Sequence, residues 1–279
     1  MRSLIAVPVV LVLLLSGCAE QEKKTAQLEV VAAAYPFAWL AEQVGGPTVK
    51  VTNLVKPGAE PHEVELSPRQ VVQVRRARVL VYLKGFQPAV DDALGSSAQG
   101  LDLGASVPRT EDPHIWLDPV RMQAAAKAIE QRLIAIDPAH AKDYAAQALA
   151  VTDKLIDLDR AFTRALETCA RREIVTSHSA FGYLAERYRL VQRGISGLSP
   201  DAEPSPGRMA EVASYARANG VTTIFFESLV DPKVAKTLAA EIGAKTAVLD
   251  PIEGVSGTDD YLSVQLRNAR ALRDALACR

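Results

Sequence analysis

This sequence has almost no excess of charge of either sign, and no basic stripe stands out. Its 32 lysines and arginines nearly balance 33 aspartates and glutamates, which gives a formal net charge of −1. Because nucleic-acid binders carry a basic patch, this balance argues against nucleic acid as a partner. Aromatic residues are also few, at 5%, whereas an apolar content of 48% is enough for a substantial core.

Long apolar runs are absent beyond the start of the chain. Residues 4–15 are apolar and follow the charged Arg2, but this run of about a dozen residues is too short to span a bilayer. The stretch Leu-Ser-Gly-Cys that ends at Cys18 is similar to a bacterial lipobox. We therefore expect a signal peptide over residues 1–17, lipidation of Cys18 and a polar tether over residues 18–27. An ordinary signal peptide with a chance cysteine is the alternative.

Cysteine is scarce, and its three positions point to a compartment outside the cytoplasm. Once Cys18 is assigned to the lipid, Cys169 and Cys278 remain. In an oxidising extracytoplasmic space an isolated pair of this kind favours one disulfide bond. Two free buried thiols are the alternative. The lipid would be the only attachment of the protein to the membrane.

Strand-like and helix-like patterns alternate through the remaining 250 residues or so, which predicts parallel sheets in two medium domains or one large one. Residues 139–170 contain no glycine or proline, and their apolar residues recur in steps of four and three. At 1.5 Å per residue such a helix is roughly 48 Å long, so we expect it to run along two domains. We place α/β domains at residues 28–137 and 171–279, with the linking helix at 138–170. Residues 84–108 show no clear pattern.

Three of the four histidines lie in short loops at the ends of predicted elements. His62 follows a strand in a loop rich in proline and glycine, His114 lies between two Asp-Pro pairs, and His178 follows another strand directly. Asp250 also follows a strand. In parallel sheets, ligands bind at the loops beyond the strand ends. Three imidazoles and one carboxylate form an ordinary zinc donor set, whereas His140, at the start of the long helix, is expected to be a solvated surface residue.

Four stretches of the chain together resemble the metal-binding lipoproteins of zinc and manganese ABC importers, the solute-binding family called cluster 9 or cluster A-I. They are Lys-Pro-Gly-Ala-Glu-Pro-His-Glu at 56–63, Asp-Pro-His-Ile-Trp-Leu-Asp-Pro at 112–119, Thr-Ser-His-Ser-Ala-Phe at 176–181, and Phe-Phe-Glu at 225–227 with Leu-Asp-Pro at 249–251. The resemblance implies two α/β domains joined by one long helix, with the metal in the cleft between them. It implies His62 and His114 as ligands from the first domain. From the second domain it implies His178 and Asp250.

The resemblance also implies partners and a mode of action. We expect a monomer that captures Zn²⁺ and delivers it to a membrane permease driven by a cytoplasmic ATPase. A manganese carrier of the same family is one alternative, and a zinc metalloenzyme is another. An enzyme would need a general base beside a metal-bound water, whereas here Asp250 is a candidate for the fourth position. Relatives that resemble manganese carriers tend to have a carboxylate at the position of His178, which favours zinc for this chain.

The chain departs from its relatives in two places. Residues 105–111 contain no histidine, where many zinc-type members carry a His-rich insert, so we expect no accessory metal-collecting loop. Residues 83–88 read Leu-Lys-Gly-Phe-Gln-Pro where many relatives have an Asn-Gly pair. We expect this departure to change the local wall of the cleft and not the ligands. Two further carboxylates lie near the predicted ligands. Glu60 is expected to support His62 or to compete for the metal, and Glu227 to orient groups in its loop.

Overall fold

The computed structural model of the protein describes residues 27–200, 202–255 and 257–279. Within these ranges the chain forms two four-stranded sheets, and every pair of neighbouring strands is parallel. The predicted signal peptide, Cys18 and all of the predicted tether except residue 27 lie outside the described residues. No helix in the described part of the chain has both the length and the apolar content that a membrane crossing requires.

The first domain contains four strands and four helices. They are β1 (Leu28–Ala32), α1 (Tyr35–Gly45), β2 (Val49–Asn53), α2 (Pro68–Arg76), β3 (Val79–Tyr82), α3 (Pro88–Leu94), β4 (Gly100–Asp102) and α4 (Pro119–Ile136). The strand order is β2-β1-β3-β4. Because successive side chains of a strand point to opposite faces, Val30 and Ala32 enter the central core while Val31 enters an outer cluster. Both faces of the sheet are therefore covered.

The second domain repeats this arrangement after a connecting helix. The connecting helix is α5 (Ala141–Ala165). The elements of the second domain are β5 (Glu173–Thr176), α6 (Gly182–Tyr188), β6 (Val191–Gly194), α7 (Pro206–Ala218), β7 (Thr223–Phe226), α8 (Lys233–Ile242), β8 (Lys245–Val248) and α9 (Tyr261–Ala275). The strand order is β6-β5-β7-β8. If the strands of each domain are numbered from one to four, both sheets have the order 2-1-3-4. Ile174 faces the central core, and Val175 faces a separate outer cluster.

The connecting helix α5 packs against α1 and α4 of the first domain and against α9 of the second. One side of it is buried, through Tyr144, Ala148, Val151, Leu155, Leu158 and Phe162. The central core is therefore continuous through both domains. This arrangement confirms the predicted fold class of two parallel-sheet α/β domains.

Three local predictions meet different outcomes. The long helix was expected over residues 139–170, but α5 ends at Ala165, and Arg172 donates hydrogen bonds to the carbonyls of Leu166 and Glu167 beyond its end. The unpatterned residues 84–108 contain α3 and β4. The predicted disulfide is present and joins Cys169 to Cys278 across a sequence separation of 109.

Candidate metal site

Four side chains converge at one point between the two domains. They are His62, His114, His178 and Glu253, and their nearest donor atoms all lie within 4.8 Å of one another. His62 lies between β2 and α2, His114 between β4 and α4, His178 between β5 and α6, and Glu253 between β8 and α9. His114 and His178 are fully buried, and Glu253 is 1% exposed. Each domain therefore contributes two groups from loops at its strand ends.

Five of the six distances between the donor atoms of this cluster are close to those of a tetrahedral zinc site. His62 Nε2 lies 3.2 Å from His114 Nε2 and 3.1 Å from Glu253 Oε1. His114 Nε2 lies 3.3 Å from both His178 Nε2 and Glu253 Oε1, and His178 Nε2 lies 3.6 Å from Glu253 Oε1. Donors placed tetrahedrally at about 2.0 to 2.1 Å from a zinc ion are about 3.3 Å apart. The five pairs above are close to that spacing, and the cluster offers three nitrogen donors and one oxygen donor within 4.8 Å of one another.

A carboxylate two residues away orients His114. Asp112 Oδ1 accepts hydrogen bonds from His114 Nδ1 at 2.7 Å and from the His114 backbone N–H at 2.9 Å. An ionised carboxylate can only accept, so Nδ1 carries the proton and Nε2 presents its lone pair to the cluster. The short Asp-Pro-His loop thus fixes both the tautomer and the direction of the ring. Asp112 was not among the residues predicted to orient a ligand, although its position two residues before His114 is a usable signal.

His178 is oriented by a carboxylate from another strand. Glu227, which follows β7, accepts from His178 Nδ1 at 2.6 Å and also from the hydroxyl of Ser177. Glu227 is 2% exposed, so this contact is buried. Burial lowers the pKa of His178, but the contacts with the Glu227 and Glu253 carboxylates outweigh burial and raise that pKa to about 10. Glu227 thus contacts Nδ1 of His178 and not the Nε2 atom that faces the cluster, and its role in orienting groups of the site stays a prediction.

His62 is held by contacts within its own domain. The backbone N–H of His62 donates to Glu60 Oε1 at 2.9 Å, while Glu60 Oε1 is 3.9 Å from His62 Nε2 and lies outside the four-residue cluster. Gln87, which is buried, donates through Nε2 to the carbonyl of Pro61 at 2.9 Å. The ring of Phe86 packs edge-on against His62 with centroids 4.9 Å apart. Phe86 and Gln87, which belong to residues 83–88, thus form the wall beside His62.

The structure does not bring Asp250 into the cluster, although the sequence analysis expected it there. Its carboxylate accepts from the hydroxyl of Ser228 and from the backbone N–H of Ile252, the latter at 2.7 Å. Short aspartate side chains commonly bond the backbone two residues on, and this contact keeps the Asp250 carboxylate in its own turn. Burial raises the pKa of Asp250, although the bonds from Ser228 and Ile252 oppose that shift.

Glu253 occupies the position that was expected for Asp250. The turn between them contains Ile252 at φ 60°, a conformation that is rare for a β-branched residue and that is found where surrounding structure enforces it. Burial would raise the pKa of Glu253, but the close contacts with the three imidazoles outweigh burial and lower that pKa well below its usual value. The carboxylate is therefore a charged donor. The sequence signal for Glu253 was its place three residues after Asp250, beyond a proline.

The loop that carries Glu253 is held from the other domain. Trp116, two residues after His114, donates from Nε1 to the carbonyl of Pro251 at 2.7 Å. Trp116 is fully buried, and Tyr261 of α9 donates to its carbonyl.

The fourth histidine, His140, lies away from the cluster, where its Nδ1 is 2.7 Å from Asp137 Oδ2 and its side chain is 30% exposed. This is the surface position that was predicted for it.

Comparison with known proteins shows which family this chain belongs to. Residues 30–275 match the family described as ZnuA, zinc-uptake complex component A, periplasmic. The chain is 32% identical to the high-affinity zinc uptake system protein ZnuA of Bacillus subtilis, over 91% of this chain and 89% of that protein. It is 35% identical to the zinc-binding lipoprotein AdcA of Streptococcus pneumoniae, over 94% of this chain and 58% of AdcA.

Solved structures agree with the sequence matches. The Zn(II)-bound ZnuA-like domain of Streptococcus pneumoniae AdcA superposes with a TM-score of 0.78 at 35% identity. The superposition covers 90% of this chain and 99% of that domain. The chain thus matches the whole of a solved domain whose structure contains zinc.

Proposed function

Because the chain belongs to the ZnuA family of zinc-uptake components, we propose that it is the zinc-capturing protein of an ABC importer. The family membership confirms the resemblance that the four sequence stretches indicated. Zn²⁺ is the cargo of this protein, bound between its two domains. The observation that carries the proposal is the convergence of three imidazoles and one carboxylate, an ordinary zinc donor set, with donor atoms within 4.8 Å of one another.

We propose His62, His114, His178 and Glu253 as the zinc ligands. Each imidazole presents Nε2 to the cluster, and the Nδ1 atoms of His114 and His178 contact carboxylates. Carboxylate partners of this kind fix the ring and raise the basicity of the metal-binding nitrogen. Asp250 has a different role in this proposal, since it holds the turn from which Glu253 extends.

Capture rather than catalysis follows from the number of donors. A catalytic zinc site keeps one coordination position for water or substrate, whereas four protein donors complete a tetrahedral site. Here the fourth donor is the buried Glu253 carboxylate. Three nitrogen donors also suit zinc better than manganese, which favours oxygen donors and higher coordination. We therefore propose a zinc carrier with no catalytic step.

The transport partners follow from the family. We propose that the zinc-loaded protein docks, as a monomer, on a membrane permease powered by an ATPase. The lipobox-like stretch supports an extracytoplasmic position in which Cys18 carries the lipid. Zinc would then be captured outside the cytoplasm and handed to the permease.

Two measurements on the full chain test this function. The first is the metal content of protein purified without chelator, followed by competition between zinc and manganese, and we expect zinc to be retained. The second is thermal unfolding with and without zinc. At a free zinc concentration about a thousandfold above the dissociation constant, binding stabilises the folded protein by about 4 kcal/mol. Identical unfolding curves in the two conditions would contradict the proposed site.

A further inference from the structure

Tyr183 belongs to the second domain, but its hydroxyl group bonds to the first. It lies in the first turn of α6 and is 4% exposed. Its hydroxyl accepts a hydrogen bond from the backbone N–H of Thr110 at 2.8 Å and donates one to the backbone carbonyl of Asp112 at 2.9 Å. The guanidinium of Arg121, from α4 of the first domain, lies over the Tyr183 ring at 4.2 Å. Both the ring and the hydroxyl therefore contact the first domain.

The segment that Tyr183 holds is the one that orients His114. Asp112 is joined to Tyr183 through its backbone carbonyl and to His114 through its carboxylate. The neighbouring Gly182 supports the other side of that carboxylate, because a Cβ atom there would come within 2.6 Å of Asp112 Oδ2. Both the main chain and the side chain of Asp112 thus rest on the start of α6.

The same segment of the second domain carries His178, four residues before Gly182. A displacement of α6 relative to the first domain would therefore change the setting of His114 as well as the position of His178. The mirror-image contact is made by Trp116 of the first domain, which holds the carbonyl of Pro251 near Glu253. The second domain therefore contacts the loop that carries His114, and the first domain contacts the loop that carries Glu253.

We propose that Tyr183 is a positioning residue that sets the orientation of His114 through Asp112, so that zinc affinity depends on the contact between the domains as well as on the four ligands. This inference rests on the proposed zinc-binding function. The tyrosine hydroxyl bridges Thr110 and Asp112 and removes freedom from the Asp-Pro-His loop before the metal arrives. Preorganisation of this kind raises affinity by reducing what must be ordered on binding.

Tyr183→Phe tests the inference because it removes only the hydroxyl and leaves the buried ring in place. We expect zinc affinity, measured by competition with a chelator, to fall about tenfold, which is typical for loss of an outer hydrogen-bond partner of a metal site. The visible absorption of bound Co²⁺ should also change, since it reports the ligand geometry. Tyr215→Phe is the matched control, because Arg193 lies over the Tyr215 ring at 4.7 Å, but this tyrosine is on α7 beside the outer cluster.

A double-mutant cycle with Asp112→Asn separates positioning from general destabilisation. If Tyr183 acts through Asp112, the two substitutions together should cost less zinc affinity than the product of their separate effects. Full additivity would overturn the proposal, as would wild-type affinity and an unchanged Co²⁺ spectrum in Tyr183→Phe. An equal loss in Tyr215→Phe would overturn it too, since the effect would then be a general one.

The outcomes also separate this inference from the proposed function. If the wild-type protein binds one zinc ion and His178→Ala abolishes that binding while Tyr183→Phe is unaffected, only the positioning role fails. If the wild-type protein shows no zinc binding, the proposed function itself fails. Gly182→Ala is a second variant that should displace the Asp112 carboxylate and weaken zinc binding without altering the tyrosine hydroxyl. Wild-type zinc affinity in a folded Gly182→Ala protein would also overturn the inference.

Discussion

The two domains have the same strand order but supply and support their proposed zinc ligands differently. The first domain contributes imidazoles from loops that follow β2 and β4, and the second contributes one imidazole after β5 and one carboxylate after β8. The orienting carboxylate of His114 lies two residues before it, whereas that of His178 lies 49 residues after it. The two sheets thus present equivalent edges at the ends of their strands. The loops that carry the proposed ligands, and the carboxylates that orient them, differ between the domains.

This difference has a physical consequence for each half of the site. In the first domain the support of His114 is part of the same loop and moves with it. In the second domain the contact between His178 and Glu227 requires β5 and β7 to stay paired. The second half of the site therefore depends more on the integrity of its sheet. The following predictions test this asymmetry, from the largest expected effect to the smallest.

The largest effect should come from replacing the single imidazole of the second domain. His178→Glu exchanges a nitrogen donor for an oxygen donor, which zinc favours less and manganese favours more. We expect zinc affinity to fall on the order of a thousandfold, or about 4 kcal/mol, and the preference for zinc over manganese to narrow. Zinc should still bind more tightly than manganese, as the divalent-metal order requires. Calorimetry with each metal measures both quantities, and unchanged zinc affinity would remove His178 from the ligand set.

Covalent stapling also differs between the domains. The disulfide between Cys169 and Cys278 ties the segment after α5 to the end of α9, and the sequence from residue 27 to 168 contains no cysteine. A loop of this length predicts a stabilisation of up to roughly 4 to 5 kcal/mol in the chain-entropy model, and often less in practice. Cys278→Ser should therefore lower the free energy of unfolding by about 2 to 4 kcal/mol.

Zinc affinity provides the control for that variant. The bond lies at the chain end, and neither cysteine belongs to the His–Glu cluster. Zinc affinity at a temperature where Cys278→Ser is fully folded should therefore equal that of the wild type. A large loss of zinc affinity in Cys278→Ser, with an unchanged free energy of unfolding, would contradict this prediction.

The fourth ligand distinguishes the structure from the sequence prediction. Glu253→Gln replaces a charged oxygen donor with a neutral amide, and we expect zinc affinity to fall by at least about 100-fold, because loss of a ligand should cost no less than loss of an outer partner. Asp250→Asn keeps an oxygen that can accept from Ile252, so the loss should be no more than about tenfold. Chelator competition on both variants decides between them. A larger loss in Asp250→Asn would restore Asp250 as the ligand.

The fold was predictable where patterning and capping agree. Ser67 is the N-cap of α2, with Pro68 at its first position, and Asp118 and Pro119 play the same parts for α4; both pairs are sequence signals of a helix start. Residues 84–108 were not assigned because β4 is only three residues long and includes a glycine, which leaves no period to read. The end of α5 was missed because residues 166–170 contain no glycine or proline and continue the apolar spacing.

The site was predictable as far as histidine placement, and less so for carboxylates. The structure brings His62, His114 and His178 together, because loops that follow parallel strands meet at one edge. Which of two carboxylates three residues apart reaches that point depends on the turn at Ile252, whose backbone conformation no residue preference indicates. The pairing of Glu227 with His178 likewise depends on the register of β5 and β7.

The orienting carboxylates give a direct comparison between local and distant support. Glu227→Gln and Asp112→Asn both keep an acceptor oxygen and lose a charge. We expect zinc affinity to fall about tenfold for Asp112→Asn and several times more for Glu227→Gln, within the 10- to 100-fold range for such partners. Glu227 is the more buried of the two and also serves Ser177, whereas the Asp112 loop keeps its backbone contacts. Equal losses would show that distance in sequence does not matter here.

The smallest effect should come from the histidine that belongs to neither half of the site. His140 lies just before α5, where its ring contacts Asp137, and Tyr144 also donates to that carboxylate. His140→Ala removes a partly exposed pair, which is worth less than about 1 kcal/mol of folding stability. Tyr144 continues to satisfy Asp137, so the start of the helix should hold. Zinc affinity by calorimetry should be unchanged, and a marked loss would mean that the connecting helix, rather than the two sets of loops, controls the metal site.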